Sequence, residues 1–186
     1  MNGATHLDER TTDAWLVVAA QAGDRRAIDR LVARWHRRLV AHGWRLTGDR
    51  AMAEEAVQAA WIDIVRGIAA LRDERAFPAW AYRIVTRKTA AAIGARVAIR
   101  AIESALEDDL PPAPPSPEDA VDGTALRRAV AALPHGHRAA VALHYFEGLS
   151  IAETAVALGI PAGTVKTRLL HARARLKTML EGETHA

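Results

Sequence analysis

Apolar residues recur along this chain every three or four positions and almost nowhere in strict alternation, the period of helices rather than strands. Ile28, Leu31, Trp35, Leu39 and Leu46 fall on one helical face, and Val57, Trp61, Ile64, Ile68 and Leu71 resume the spacing after a break. Gly23 and Gly48 stand where helices end, and Asp24 and Asp49 where the next ones need caps. A third long pattern, from about Arg75 to Arg100, turns Trp80 and Ile84 inward, with Ile93 as a third candidate. Farther on, Leu126, Val130 and Leu133 predict a short helix ahead of Pro134, and Arg138 to Phe146 another that Gly148 stops. Ser150-Ile151-Ala152-Glu153 reads as a capping box opening a helix that Gly159 closes. Beyond the turn Gly159-Ile160-Pro161, Val165, Leu169, Ala172 and Leu176 face inward on a longer helix. Two helices across so tight a turn make a helix-turn-helix, and the chain as a whole reads as all-α.

The pattern lapses between the two groups of helices. Five prolines fall between Glu107 and Pro117, where they deny backbone donors and push each preceding residue toward extended geometry. This divides the chain into a helical body over 11–106, a flexible acidic linker over 107–121 and a second body over 122–182, with the linker expected to let the bodies move relative to each other. Charge follows the same division. Sixteen basic residues outnumber ten acidic ones over 11–106, the stretch 107–120 holds five acids and no base, and the remainder is basic again.

Composition excludes several classes. Half of the 186 residues are hydrophobic and a quarter charged, enough for real cores. There is no cysteine, so no disulfide framework, thiolate metal site or catalytic thiol. No apolar run approaches a membrane span and the start lacks a signal-peptide layout, so the expectation is a cytoplasmic protein without membrane insertion. His135, His137 and His144 lack the acids or cysteines that would complete a metal site. Of the three serines, Ser104, Ser116 and Ser150, the last already has a capping role, so nothing supports a hydrolase; no cofactor and no enzymatic activity are expected.

In a helix-turn-helix the second helix enters the major groove with its first turns at base edges. Here those turns carry Ala162, Gly163, Lys166 and Thr167, small enough for close approach, followed by Arg168, His171, Arg173, Arg175 and Lys177 as cations for phosphate. A solvated basic face on a core helix is the competing reading. The capped first helix and the small-residue start favour DNA.

The run Leu133-Pro134 to Arg138, then Tyr145-Phe146-Glu147-Gly148-Leu149-Ser150, Leu158-Gly159-Ile160 and Gly163-Thr164-Val165-Lys166-Thr167-Arg168-Leu169 with His171-Ala172-Arg173 resembles region 4 of the sigma-70 family, in its extracytoplasmic-function (group 4) branch. Ala22-Gly23-Asp24, Leu46-Thr47-Gly48-Asp49, Ala53-Glu54-Glu55 with Val57-Gln58, and Phe77 with Trp80, Tyr82, Arg83 and Ile84 resemble region 2 of the same branch. Together they cover about residues 13 to 182. The resemblance implies a bacterial sigma factor that binds core RNA polymerase, places it on minus-35 and minus-10 promoter elements and is held by an anti-sigma protein.

It also implies sites. Core polymerase would meet Glu54, Glu55, Gln58, Trp61 and Ile62; from spacing alone Glu54, Gln58 and Ile62 form an exposed stripe beside the inward Val57, Trp61 and Ile64. The minus-10 strand would meet Arg72, Arg75, Phe77, Trp80, Tyr82, Arg83, Arg87 and Lys88, which combine aromatic faces with cations as single-strand binding requires; the alternative for the three aromatics is a place in the core. The minus-35 element would meet Ala162, Gly163, Thr164, Lys166, Thr167, Arg168, His171 and Arg173. At Ala59, Arg87 and Ala91 the sequence departs from the family's usual acid, asparagine and aspartate. Two other functions compete: a sigma mimic that sequesters an anti-sigma protein, which would carry a receiver domain not evident here, and a dimeric helix-turn-helix regulator, which would leave the first body unexplained.

Overall fold

The computed structural model describes residues 2–106 and 124–183, so the linker lies outside the described residues. The first body comprises α1 (Asn2–Gln21), α2 (Arg25–Thr47), α3 (Arg50–Gly67) and α4 (Phe77–Leu106), with two short 3-10 turns between α3 and α4. The second comprises α5 (Thr124–Ala131), α6 (His135–Val141) continuing into a widened π-turn over Ala142–Phe146, α7 (Ile151–Leu158) and α8 (Ala162–Glu183). Among the described residues there is no strand, as the apolar period predicts.

The helix ends follow local chemistry. Asp24 accepts from the Arg26 N–H at 2.9 Å and Asp49 from the Met52 N–H at 3.0 Å. Gly48 closes α2 in the left-handed region, at φ 70°, which a β-carbon would resist. The Ser150 box is complete: the Glu153 N–H donates to Ser150 Oγ at 3.2 Å and the Ser150 N–H to the Glu153 carboxylate at 2.8 Å.

The first core is an aromatic stack. Trp35 meets Phe77 and Tyr82 edge-on at 5.6 and 5.8 Å, above Leu31, Leu39, Val57, Ile64 and Val85. In the second body Val130, Leu133, Val165, Leu169 and Ala172 close a smaller core. Leu126 is 47% exposed, while Ala129 and Val130 farther along α5 are buried.

In the structure the two bodies pack together. Leu143, Leu149 and Ala157 of the second body join the first body's core, and Leu46 packs on Ala139 and Ala142. Polar groups fasten this seam. The Glu147 side chain, 5% exposed, accepts from Arg45 at 2.5 Å and from the Tyr82 hydroxyl. Arg138 donates to the Leu46 carbonyl at 3.0 Å and to the carbonyls of Leu133 and Ala131 in its own body, and Arg10 pairs with Glu153 at 2.7 Å. An apolar seam of this kind favours closure whatever the linker's stiffness.

His42, which the sequence pattern passes over, is fully buried between the layers, 3.0 Å from Thr86 Oγ1 and edge-on to Tyr82. Burial first, then the charges of Arg45 and His135, lower its pKa to about 3. The folded chain therefore refuses a proton that the unfolded chain accepts, so stability is complete above pH 6.5 and falls as pH drops below it. Urea unfolding at about pH 5 should show a loss of roughly 2 kcal/mol relative to neutral pH, much reduced in His42→Gln.

Candidate nucleic-acid and polymerase interfaces

The second helix of the helix-turn-helix presents the face that its sequence promises. Ala162, Gly163, Thr164, Lys166, Thr167, His171 and Arg173 are exposed and Arg168 is half-buried, while Val165, Leu169 and Ala172 face the core. The Thr167 hydroxyl donates to the Gly163 carbonyl at 3.1 Å, which fixes the side chain along the helix. The Gly159 turn that sets α7 against α8 lies in the left-handed region at φ 65°. The first two residues of α8 thus offer close backbone approach, and the third and fourth turns offer cations.

The minus-10 candidates divide. Arg72, Arg75, Arg83 and Arg87 are exposed, and Lys88 is tied to Asp63 on α3 at 2.8 Å. Phe77 and Tyr82 are fully buried, which corrects their assignment as stacking faces: Phe77 roofs Trp35, and Tyr82 turns its hydroxyl to Glu147. Burial and the neighbouring Glu147 carboxylate push the Tyr82 phenol far up, so it stays a donor. Trp80 alone of the three remains half-exposed, and Gly67 admits it, since a β-carbon there would lie 3.0 Å from the indole ring. Gln21 on α1 braces the preceding loop by donating to the carbonyls of Ile68 at 3.0 Å and Leu71 at 2.8 Å. Neither Gln21 nor Gly67 follows from periodicity, because each acts across the fold.

On α3, Glu55 and Gln58 are exposed and Glu54, paired with Arg50 at 2.9 Å, is partly so. Ile62 is 52% exposed, and Val65, absent from the sequence reading, extends the apolar stripe one turn further at 45%. Trp61 is corrected to the core: at 9% exposure it packs with Val57 and Ile64 and cannot meet a partner. Ala59 is half-buried, so the departure there lies at the edge of the stripe. Among the described residues no group of three or more histidines or acids could hold a metal, and no helix is long and apolar enough to cross a membrane.

Two family models match the chain, Sigma-70 region 2 over residues 31–101 and Sigma-70, region 4 over residues 123–176. The chain belongs to the sigma-70 family. Its relatives place it in the extracytoplasmic-function branch: the ECF RNA polymerase sigma factor SigM of Mycobacterium tuberculosis is 36% identical over 169 residues, covering 91% of this chain and 85% of its own. As a sigma factor the chain is a transcription-initiation subunit that binds core RNA polymerase and directs it to promoter DNA, and it is not an enzyme. The two-body fold is that of CnrH in complex with the cytosolic domain of CnrY, at TM-score 0.69 and 22% identity, covering 92% of this chain and 98% of that one. It is also that of the sigma factor RpoE in complex with the anti-sigma factor NepR from Bartonella quintana, at TM-score 0.68 and 20% identity, covering 82% and 96%.

Proposed function

We propose that this sigma factor divides its work between the two bodies. The body over 11–106 meets core polymerase through Glu54, Glu55, Gln58, Ile62 and Val65, and the minus-10 strand through Arg72, Arg75, Trp80, Arg83 and Arg87; the body over 122–182 reads the minus-35 element. The observation that carries this reading is the first turn of α8, exposed, built of small residues and set by a capped helix and a left-handed glycine. An anti-sigma protein is a further partner, a reading supported by the similar fold of a sigma factor in complex with an anti-sigma factor. A cytoplasmic place is part of the same reading, since sigma factors act with cytoplasmic RNA polymerase. Reconstituted transcription with core polymerase on genomic DNA, followed by mapping of start sites, should reveal a shared pair of upstream elements; starts without common elements would overturn the reading.

Base readout by α8 rests on few side chains. Ala162 and Gly163 have no hydrogen-bonding side chain, which leaves Lys166 and Thr167 for direct readout and Ala162 for apolar contact such as a thymine methyl. Lys166→Ala should cost on the order of 1 to 3 kcal/mol of discrimination at one or two minus-35 positions. Arg173→Ala should weaken all sequences alike and flatten the salt dependence by roughly one. Binding to a panel of minus-35 variants at two salt concentrations separates them, and an exchange of the two phenotypes would reverse the orientation of α8.

A further inference from the structure

Arg168, His171 and Arg175 follow one another at spacings of three and four along α8, on the flank beside Gly163 and the base-reading Thr167. Opposite them on α6, His137 stacks on His171 with ring centroids 6.2 Å apart and planes 26° from parallel. Gly136 makes room for the third member: a β-carbon there would lie 2.9 Å from Arg168 Nη1. Two imidazoles and two guanidiniums therefore converge where α6 meets α8.

Among the described residues the surroundings supply little to balance them. Burial, then the charges of Arg175, His171 and Arg168, hold the His137 imidazole below its ordinary range. On α6 itself, His135 and Arg138 bear on one another and look toward His42 and the Leu46 carbonyl of α2. Of the other helices against α8, α5 carries Arg127 and Arg128, and α7 carries Glu153, which is engaged by Ser150 and Arg10. An imidazole placed as that of His137 resists protonation in the free chain, and an anion laid across it removes that resistance.

We infer that His137 and His171 form a proton-gated clamp for a DNA backbone phosphate, with Arg168 and Arg175 as its fixed charges. The inference rests on the minus-35 reading of the second body and adds to it a contact set by pH. When the first turns of a recognition helix lie in the major groove, its flanks lie against the sugar-phosphate backbone, so this flank meets phosphate as Thr167 meets bases. The His137 imidazole, stacked on His171, then takes a proton from solvent and donates to the phosphate. Binding thus takes up protons, and affinity rises as pH falls toward the histidine range.

The test is fluorescence anisotropy of the full chain with a labelled mixed-sequence duplex, at about pH 8 and about pH 6 and at two salt concentrations. The wild-type chain should bind roughly tenfold more tightly at the lower pH, with a salt slope steeper by about one. His137→Gln with His171→Gln should abolish both differences, and His137→Lys with His171→Lys should bind tightly and equally at both pH values. A pH response as large in either pair as in the wild type overturns the clamp, and so does a wild-type affinity indifferent to pH. If the wild type binds no duplex at either pH while still binding core polymerase, the minus-35 reading falls, and the clamp with it.

Discussion

Glu147→Lys is expected to part the two bodies. The carboxylate is nearly inaccessible and holds Arg45 at 2.5 Å and the Tyr82 hydroxyl. Lysine there would set a buried ammonium against the Arg45 guanidinium and leave the Tyr82 hydroxyl without its acceptor, changes that typically cost about 3 to 5 kcal/mol. That penalty falls on the seam, not on either core, so both bodies should stay folded while the closed arrangement is lost. The chain has no cysteine, so a pair introduced at the exposed positions Arg66 and Arg173 can carry spectroscopic labels cleanly. The distance distribution should be narrow in the wild type and long and broad in Glu147→Lys, with partial recovery when Arg45→Glu is combined with Glu147→Arg. An unchanged distribution would show that the apolar seam alone sets closure. Function bears on this as well. A compact chain of this length measures about 40 Å across, whereas the minus-35 and minus-10 elements lie about 25 base pairs, or about 85 Å, apart along B-DNA. The closed chain cannot reach both, so promoter engagement requires the bodies to separate.

Combining Gln58→Lys with Ile62→Lys should weaken core polymerase binding by roughly 3 kcal/mol, a hundredfold or more in Kd. Both side chains are exposed in the free chain, so the variant should unfold at the same denaturant concentration as the wild type. Titration of labelled core enzyme reads the loss. Undiminished affinity would move the polymerase contact off α3. Val65→Lys, one turn along the same stripe, should act in the same direction and tests whether the stripe extends as far as its exposure does.

What could be read from the sequence was whatever neighbours along the chain decide. Asp24, Asp49 and Ser150 cap helices within three residues of themselves, and the inward faces of α2 and α8 repeat at helical spacing, so each was legible. The seam was not. Glu147 meets Tyr82 across 65 residues and Arg45 across 102, and no periodicity encodes such a pair. The same blindness explains the misplaced aromatics: Phe77 and Tyr82 carry the right chemistry for stacking on a base, but Trp35, His42 and Glu147, remote in sequence, claim their faces first. His42 and Val65 escaped notice for opposite reasons, a polar residue inside and an apolar one outside.

Two of the hooks that fasten the seam also have uses at home. When the bodies part, Arg138 keeps the carbonyls of Ala131 and Leu133 and goes on ending α5, while only the Leu46 carbonyl turns to water. Glu153 gives up Arg10 but keeps Ser150 and the start of α7. Opening therefore leaves these groups partnered and unravels no helix end. Such a clasp can be undone and refastened many times in the life of one molecule, with neither half having to refold between rounds of initiation.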